Sequence, residues 1–227
     1  MSIIKVQNLV KVYSMEATEV RAVDNVNLAV EAGEFTAVVG PSGSGKTTLL
    51  NMIGGLDKPT AGSIIIDNQD ITILSGRKLV DFRLHNIGFI FQSYNLIPVF
   101  TAGENVSFIM ELQGLPRKTI EGRTREILTE VGLGERVNSR PAQLSGGQQQ
   151  RVAVARAMSS RPRFIIADEP TANLDSKTTE KLLDMMLNLN EKENITFLFS
   201  THDQRVVNKA RRVIVLEDGK IVKDEAR

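Results

Sequence analysis

The chain has 227 residues, of which 41% are hydrophobic and 24% are charged, and its formal net charge is +1. This composition is typical of a globular protein with a sizeable core. The near-zero net charge gives no sign of the basic surface that dedicated nucleic-acid binders carry, so we expect no nucleic-acid partner. The absence of cysteine excludes disulfides and cysteine-ligated metals, and it suits a reducing compartment.

Nothing in the sequence predicts a membrane span. No apolar run approaches the roughly 20 residues that cross a bilayer as a helix. The first residues, MSIIKVQNLV, have neither the apolar core nor the cleavage site of a signal peptide. If the protein works at a membrane, we expect another chain to supply the span.

Short β-rich runs alternate with longer helical patterns, which predicts an α/β fold with a largely parallel sheet. The dipeptide Asp218-Gly219, between VIVLE and KIV, predicts a closing hairpin because such turns favour glycine where φ is positive. The predicted strands cover residues 3–6, 26–30, 35–39, 63–66, 87–91, 164–167, 196–199 and 213–216.

Strand signals vanish between residues 91 and 163, where segments such as TIEGRTREILTEVGL place apolar residues at helical spacing. We therefore expect one domain over residues 1–227. Its α/β core would comprise residues 1–92 and 160–227, and residues 93–159 would form an inserted helical subdomain. Further along, an apolar stripe predicts a helix that packs on the sheet. The stripe consists of Thr179, Leu182, Leu183, Met186 and Leu187.

The stretch GPSGSGKTT follows the apolar run FTAVV and precedes TLLNMIGGL, which is the strand, glycine loop and helix of a phosphate-binding loop. Glycines let backbone N–H groups surround an anion, and the helix N-terminus adds partial positive charge. Lys46 is then placed to reach the β- and γ-phosphates, and the Thr47 hydroxyl to bind Mg²⁺. A chance glycine-rich turn would match the fixed positions on the order of one time in a hundred. The predicted nucleotide-binding residues are Gly40, Pro41, Ser42, Gly43, Ser44, Gly45, Lys46, Thr47 and Thr48.

The stretch RFIIADEP predicts a buried strand that delivers two carboxylates to its carboxyl end, where ligands bind in open α/β sheets. Asp168 is placed to hold the Mg²⁺ shell, and Glu169 to polarise a water against the γ-phosphate. A helix-capping pair is the alternative explanation for two adjacent carboxylates. The chain has no Asn-Lys-x-Asp motif, which argues against a GTPase.

A second glycine-containing stretch, LSGGQQQR, begins at Leu144. Ser145 and Gln148 fit a capping box, which predicts a helix that begins at Ser145 and has a purely structural alternative role. Gly146 and Gly147 would cost that first turn roughly 1 kcal/mol each relative to Ala, so something must approach the backbone closely. A helix start of this kind is also a second anion site. Two copies related by a two-fold axis would bring each such site to the other copy's phosphate loop.

Together, GPSGSGKT, LSGGQ, FIIADEP, the glutamine of IGFIFQ, NLD and STHD resemble the motif set of ABC transporter ATP-binding subunits, in the family's order and across nearly the whole chain. The resemblance implies an α/β P-loop NTPase (RecA-like) core with a mainly parallel sheet, an antiparallel β subdomain and an inserted α-helical subdomain. It also implies ATP hydrolysis with ATP and Mg²⁺ as cofactors. The nucleotides would be sandwiched in a head-to-tail homodimer.

The same resemblance assigns roles to individual residues. Glu169 and Lys46 would be catalytic, together with His202, which would contact the γ-phosphate, and Gln92, which would sense Mg²⁺ and the attacking water. Tyr13 resembles the aromatic residue that stacks on adenine. A surface aromatic at Tyr13 and a packed or exposed histidine at His202 are the alternatives. The implied Mg²⁺ ligands are Thr47, Gln92 and Asp168. The signature motif, which would bind the partner's ATP, is Leu144, Ser145, Gly146, Gly147 and Gln148, and the loop that links the two sites is Asn173, Leu174 and Asp175.

Two segments, GGLDKPTAGS and FQSYNLIPVFTAGENV, are similar to sequences from the branch of lipoprotein-release and macrolide-export ATPases. In that branch such segments lie near the membrane subunit, so residues 97–100 are a candidate docking surface, with a buried subdomain core as the alternative. The chain ends at EDGKIVKDEAR, so we expect a separate integral membrane permease and a peripheral position on the cytoplasmic face of the inner membrane.

Other functions within the family stay open. A non-transport membrane complex, such as a cell-division regulator, would have a similar docking surface. The soluble ABC-type ATPases of chromosomes and DNA repair carry long coiled coils, and those of translation carry two ATPase domains. This chain has one predicted domain and a short helical insertion.

Overall fold

The computed structural model describes residues 2–15 and 18–227 and contains two sheets. The smaller sheet is antiparallel, with strand order β2-β1-β4-β5. Its strands are β1 (Ser2–Met15), β2 (Thr18–Glu31), β4 (Ala61–Ile66) and β5 (Gln69–Asp70). The fold thus contains the antiparallel β subdomain that the family resemblance implied.

The larger sheet has the order β10-β9-β3-β8-β7-β6, and every neighbouring pair is parallel except β10 with β9. Its strands are β3 (Phe35–Val39), β6 (Ile87–Ile90), β7 (Phe164–Asp168), β8 (Thr196–Ser200), β9 (Arg212–Glu217) and β10 (Lys220–Ala226). Because β3, β8, β7 and β6 are parallel neighbours, the loops that follow them meet at one edge of the sheet.

Seven helices connect these strands in the described part of the chain. They are α1 (Lys46–Ile53), α2 (Gly76–Asn86), α3 (Ala102–Leu112), α4 (Arg117–Glu130), α5 (Gly146–Ser159), α6 (Ser176–Glu193) and α7 (Gln204–Lys209). Short 3-10 turns lie at Gly134–Arg136 and Pro141–Gln143. Among the described residues, no helix is both long and apolar enough to cross a membrane.

The central strands β3, β7 and β8 of the large sheet are buried on both faces, which explains their unbroken apolar runs. Alternate residues of β7 enter different clusters: Phe164 and Ile166 join the cluster beneath the small sheet and α1, whereas Ile165 joins the cluster of α3 to α6. In that second cluster the rings of Phe35 and Phe199 lie 4.5 Å apart, centroid to centroid. The helical insertion therefore shares its apolar core with the sheet.

The predicted strands are all present, but β1 and β2 are much longer than the predictions at residues 3–6 and 26–30. The two strands pair along their whole length, with register shifts between Val6 and Leu9 and between Leu9 and Lys11. Each shift breaks the alternation of apolar and polar residues, so the period-2 signal stops while the strand continues.

Candidate active site

The phosphate-binding loop leaves β3 at Gly40 and enters α1 at Lys46. Three of its glycines have positive φ, namely Gly40 (153°), Gly43 (81°) and Gly45 (99°). A Cβ atom on Gly45 would lie 2.1 Å from the carbonyl oxygen of Ala22, in β2. Glycine is therefore required at Gly45 both by conformation and by the close approach of neighbouring backbone.

Lys46 lies across this loop and is only 9% exposed. Its ammonium group donates to the carbonyl oxygens of Gly40 (2.8 Å) and Pro41 (2.9 Å). Ser44 lies beside it, with a buried hydroxyl that has no partner among the described residues. The loop thus holds a cation and an uncommitted hydroxyl donor at the start of a helix, where an anion is favoured.

Thr47 and Asp168 come from different elements and meet in the site. The Thr47 hydroxyl lies 3.1 Å from Asp168 Oδ1, and the Ser200 hydroxyl at the end of β8 donates to the same carboxylate oxygen. A hydroxyl and a carboxylate are the oxygen ligands that Mg²⁺ prefers in proteins. The residues present therefore fit a magnesium ion.

Glu169 follows β7 with φ of 45°, a strained value for a residue with a side chain. Its backbone N–H donates to the carbonyl of Ser200 (3.0 Å), and its Oε1 lies 2.7 Å from His202 Nδ1. Its other carboxylate oxygen, Oε2, is buried and has no partner within the described chain. This geometry leaves one carboxylate oxygen able to accept a hydrogen bond from a water.

A cavity of 830 Å³ brings these groups together. Most of the phosphate loop lines it, along with Gln92, Glu169 and His202. Five lining residues were not predicted, namely Val20, Arg21, Ala22, Asp218 and Gly219. The sequence identified the Asp218-Gly219 turn but gave no sign that it lies against the phosphate loop, where Gly219 N–H donates to the Ser44 carbonyl (3.0 Å).

Tyr13 lies beside this cavity. It faces Val20 across the β1–β2 pair, and Val20 lines the cavity. The Tyr13 hydroxyl donates to Asp57 Oδ2 (2.6 Å), and the Lys11 ammonium lies 4.7 Å from the ring centroid. Partial burial, with the Asp57 hydrogen bond second, raises the pKa of Tyr13.

Within the described chain, none of the five signature residues lines the cavity. The predicted capping box is confirmed: Ser145 Oγ accepts from Gln148 N–H (3.3 Å), and Gln148 Oε1 accepts from Ser145 N–H (2.8 Å). A Cβ atom on Gly147 would lie 2.4 Å from the methyl carbon of Thr178, and one on Gly146 would lie 2.9 Å from the Tyr94 hydroxyl. The close approach that the two glycines were expected to permit is therefore made by side chains of the same chain, Tyr94 and Thr178.

The loop after β7 joins the site to this helix start. Asn173 Nδ2 donates to the carbonyl of Gln92 (2.9 Å), and Leu174 packs against the core of the helical insertion. Asp175 caps α6 by accepting from the Thr178 hydroxyl (2.6 Å) and the Thr178 N–H (3.0 Å). The Thr178 hydroxyl is the largest cause, and the backbone N–H the next, of a lowered pKa for Asp175.

The fold and the site define a class, the phosphate-loop nucleotide hydrolases. The chain belongs to the ABC transporter family, whose sequence pattern matches residues 23–172, and it is therefore an ATP-binding cassette with the ATPase chemistry of that family.

Known proteins resemble it over almost its whole length. It is 44% identical over 220 residues to the lipoprotein-releasing system ATP-binding protein LolD of Syntrophotalea carbinolica, covering 97% of each chain. It is also 44% identical over 223 residues to the macrolide export ATP-binding/permease protein MacB of Syntrophobacter fumaroxidans, covering 97% of this chain and 31% of that longer protein.

A solved structure matches the fold closely. The dimeric post-hydrolysis state of the ATP-binding cassette MJ0796, bound to ADP and Pi, superposes with a TM-score of 0.90 and 43% identity over 98% of each chain. A protein named MJ0796 is found in Methanocaldococcus jannaschii.

Proposed function

We propose that the chain is the ATP-hydrolysing subunit of a membrane export or mechanotransmission complex of the lipoprotein-release, macrolide or peptide-export type. The names of the LolD and MacB relatives support this branch. The observation that carries the proposed chemistry is the convergence of Lys46, the Thr47–Asp168 pair and the Glu169–His202 pair at one edge of the large sheet.

In the proposed mechanism, Lys46 and the loop N–H groups bind the phosphates of ATP. Thr47 and Asp168, with Gln92, would hold Mg²⁺, which when bound supplies positive charge to the β- and γ-phosphates. Glu169 would accept a hydrogen bond from the attacking water through Oε2, and His202 would hold the Glu169 carboxylate and contact the γ-phosphate.

The signature residues would act on ATP held by a second copy of the chain. Their absence from the described lining of the chain's own cavity supports this, as does the dimeric structure of the MJ0796 relative. ATP would close this head-to-tail homodimer, and hydrolysis would open it. We also retain the proposed boundaries, with residues 93–159 as the subdomain that carries the signature motif.

A separate integral membrane permease would bind at an apolar groove of 410 Å³ between α2, α3, α5 and the loop that follows Gln92. Its lining includes Phe89, Phe91, Ile97 and Phe108. Nearby Val99 is 71% exposed, and Val80, which lines the groove, is 54% exposed. An apolar helix of the permease fits this chemistry and would hold the protein on the cytoplasmic face of the inner membrane.

The proposal is tested with Glu169→Gln, purified with ATP from mildly solubilised native membranes. We expect turnover to fall by roughly 100-fold or more with ATP binding retained, since general base catalysis is worth about that much. An ATP-dependent dimer should accumulate, together with a membrane protein that has an extracytoplasmic domain. Glu191→Gln, which removes an exposed partner of Arg211, is the matched control. Recovery of soluble partners or nucleic acid alone would contradict the transport function.

A further inference from the structure

A fully buried glutamine on α5 contacts the segment that carries Glu169. Gln150 is 0% exposed, and its Nε2 donates to the carbonyl oxygen of Pro170 at 2.7 Å. Its Oε1 is buried and has no hydrogen-bond partner among the described residues. A leucine would fill a similar volume without leaving Oε1 unpaired, but it would leave the carbonyl of buried Pro170 without this donor. What Gln150 specifically supplies is therefore the hydrogen bond that holds the Pro170 carbonyl.

Pro170 follows Glu169 directly in the chain, so its carbonyl lies on the next peptide unit. The Glu169 N–H is held to the carbonyl of Ser200 (3.0 Å), and Gln150 donates to the Pro170 carbonyl one residue further along. With φ of 45°, Glu169 is in a conformation that persists only when surrounding contacts maintain it. Gln150 supplies one of those contacts.

The same helix begins at the signature motif. Ser145 lies five residues before Gln150, a rise of about 7.5 Å along an α-helix. Gly147 also touches α6, since its Cα faces the methyl group of Thr178. Helix α5 therefore contacts both ends of the segment from Glu169 to Thr178, and it can transmit a small displacement of Ser145 to Pro170 without bending.

We infer that Gln150 is a positioning residue that couples the two ATP sites of the dimer. This inference rests on the proposed function. When ATP held by the second copy binds the signature motif, α5 becomes fixed, and the Gln150 amide then fixes the Pro170 carbonyl and the orientation of Glu169. Each chain thus sets its own catalytic carboxylate according to whether its partner holds ATP.

The test compares the wild-type chain with Gln150→Leu in steady-state ATP hydrolysis. We expect kcat to fall about tenfold, with KM for ATP within about twofold, because Gln150 is not among the residues that line the cavity. The Hill coefficient should fall toward one, while the thermal unfolding temperature should fall by only a few degrees, because a single buried carbonyl loses its donor. Ser159→Ala removes another buried side-chain hydrogen bond of α5, to the Arg156 carbonyl, and should leave all these quantities unchanged.

A second variant, Gln150→Glu, gives a pH-dependent result that a packing role of Gln150 would not produce. A protonated carboxyl can donate to the Pro170 carbonyl, whereas a carboxylate cannot. Burial raises the pKa of a carboxyl, so its protonated fraction increases as pH falls. We expect the ratio of this variant's kcat to the wild-type kcat to rise between about pH 8 and about pH 6.

The outcomes are distinguishable. A wild-type chain that does not hydrolyse ATP overturns the proposed function, and the inference with it. A wild-type chain that hydrolyses ATP cooperatively, with Gln150→Leu equal to it in kcat and Hill coefficient, overturns only the inference. The inference is also overturned if Gln150→Leu shows a large fall in unfolding temperature together with a raised KM and a lowered kcat, and Gln150→Glu shows no pH-dependent recovery.

Discussion

The chain contains two helix starts rich in glycine, and they use glycine for different reasons. In the phosphate loop, Gly45 has φ of 99° and lies against the backbone of Ala22, so it needs conformational freedom as well as space. In the signature motif, Gly146 and Gly147 have ordinary helical backbone and lie against the Tyr94 and Thr178 side chains. Of these two helix starts, only the first lines the cavity that contains the chain's proposed catalytic residues, as far as the structure describes it.

This difference separates a complete site from half of one. The phosphate loop lines one cavity with the proposed catalytic residues Glu169 and His202, whereas no signature residue lines that cavity in the described part of the chain. Its glycines bring α5 close to the loop after β7, which links the motif to Glu169. The two helix starts should therefore respond differently to mutation, and substitutions within and around them measure that difference.

The largest effect is expected for Gly45→Ala. A left-handed alanine costs about 1–2 kcal/mol, and the Ala22 carbonyl cannot move aside, so ATP affinity should fall by about 100-fold or more. Nucleotide titration by calorimetry measures it. Gly43→Ala is the control, because φ is 81° there and no described atom lies within 4 Å of the added Cβ. Gly43→Ala should lower the ATP affinity only about tenfold. Equal losses in the two variants would contradict the account.

A smaller effect is expected for Gly147→Ala, because its clash is with a side chain. Overpacking of this kind costs about 1–3 kcal/mol, so kcat should fall about tenfold with little change in ATP affinity. The double variant Gly147→Ala, Thr178→Ser removes the clashing methyl group and keeps the hydroxyl that binds Asp175. We expect it to recover most of the activity in a phosphate-release assay. A double variant no better than the single one would show that the space is needed for something else.

Next comes Tyr13→Ala, at the edge of the nucleotide cavity. Stacking of a base on an aromatic ring is worth about 1–3 kcal/mol, so the Kd for ATP should rise about tenfold. Tyr13→Phe loses only the hydrogen bond to Asp57 and should bind nearly as the wild type does. Fluorescent-nucleotide titration compares them. If both variants bind equally weakly, the hydroxyl rather than the ring holds the site.

The smallest effect concerns Asp175, whose folded-state pKa is lowered by the Thr178 hydroxyl and N–H. A lowered carboxyl pKa stabilises the fold above the unfolded pKa of about 3.9, and this stabilisation is lost as pH falls through the folded value. Asp175→Ala should therefore lower the unfolding temperature by a few degrees near neutral pH, and the difference should shrink below about pH 4. A difference independent of pH would show that the charge does not contribute.

The features of the site that could be predicted from the sequence are those encoded by a few consecutive residues. The phosphate loop, the Asp168-Glu169 pair and the Ser145 cap are local patterns, and the largely parallel sheet follows from the alternation of strands and helices. The full length of β1 and β2 could not be predicted, because register shifts interrupt the alternation of apolar and polar residues along these strands.

Contacts between segments that are far apart in the chain could not be predicted from the sequence. The sequence does not show that Ala22 lies over Gly45, that Gly219 bonds to Ser44, or that a buried Gln150 reaches Pro170. Such contacts depend on tertiary packing of elements that are far apart in the chain. Gln150 in particular looks like one more polar residue in the run QQQ.

The central claim, that each signature motif acts on the other copy's ATP, is tested most directly by mixing two inactive variants. Lys46→Ala disables the phosphate loop, and Ser145→Arg blocks the signature motif. In a mixed dimer, the loop of one chain and the motif of the other form one intact site, so a statistical mixture should release about a quarter of the wild-type phosphate in a single turnover. A mixture as inactive as either variant alone would contradict the account.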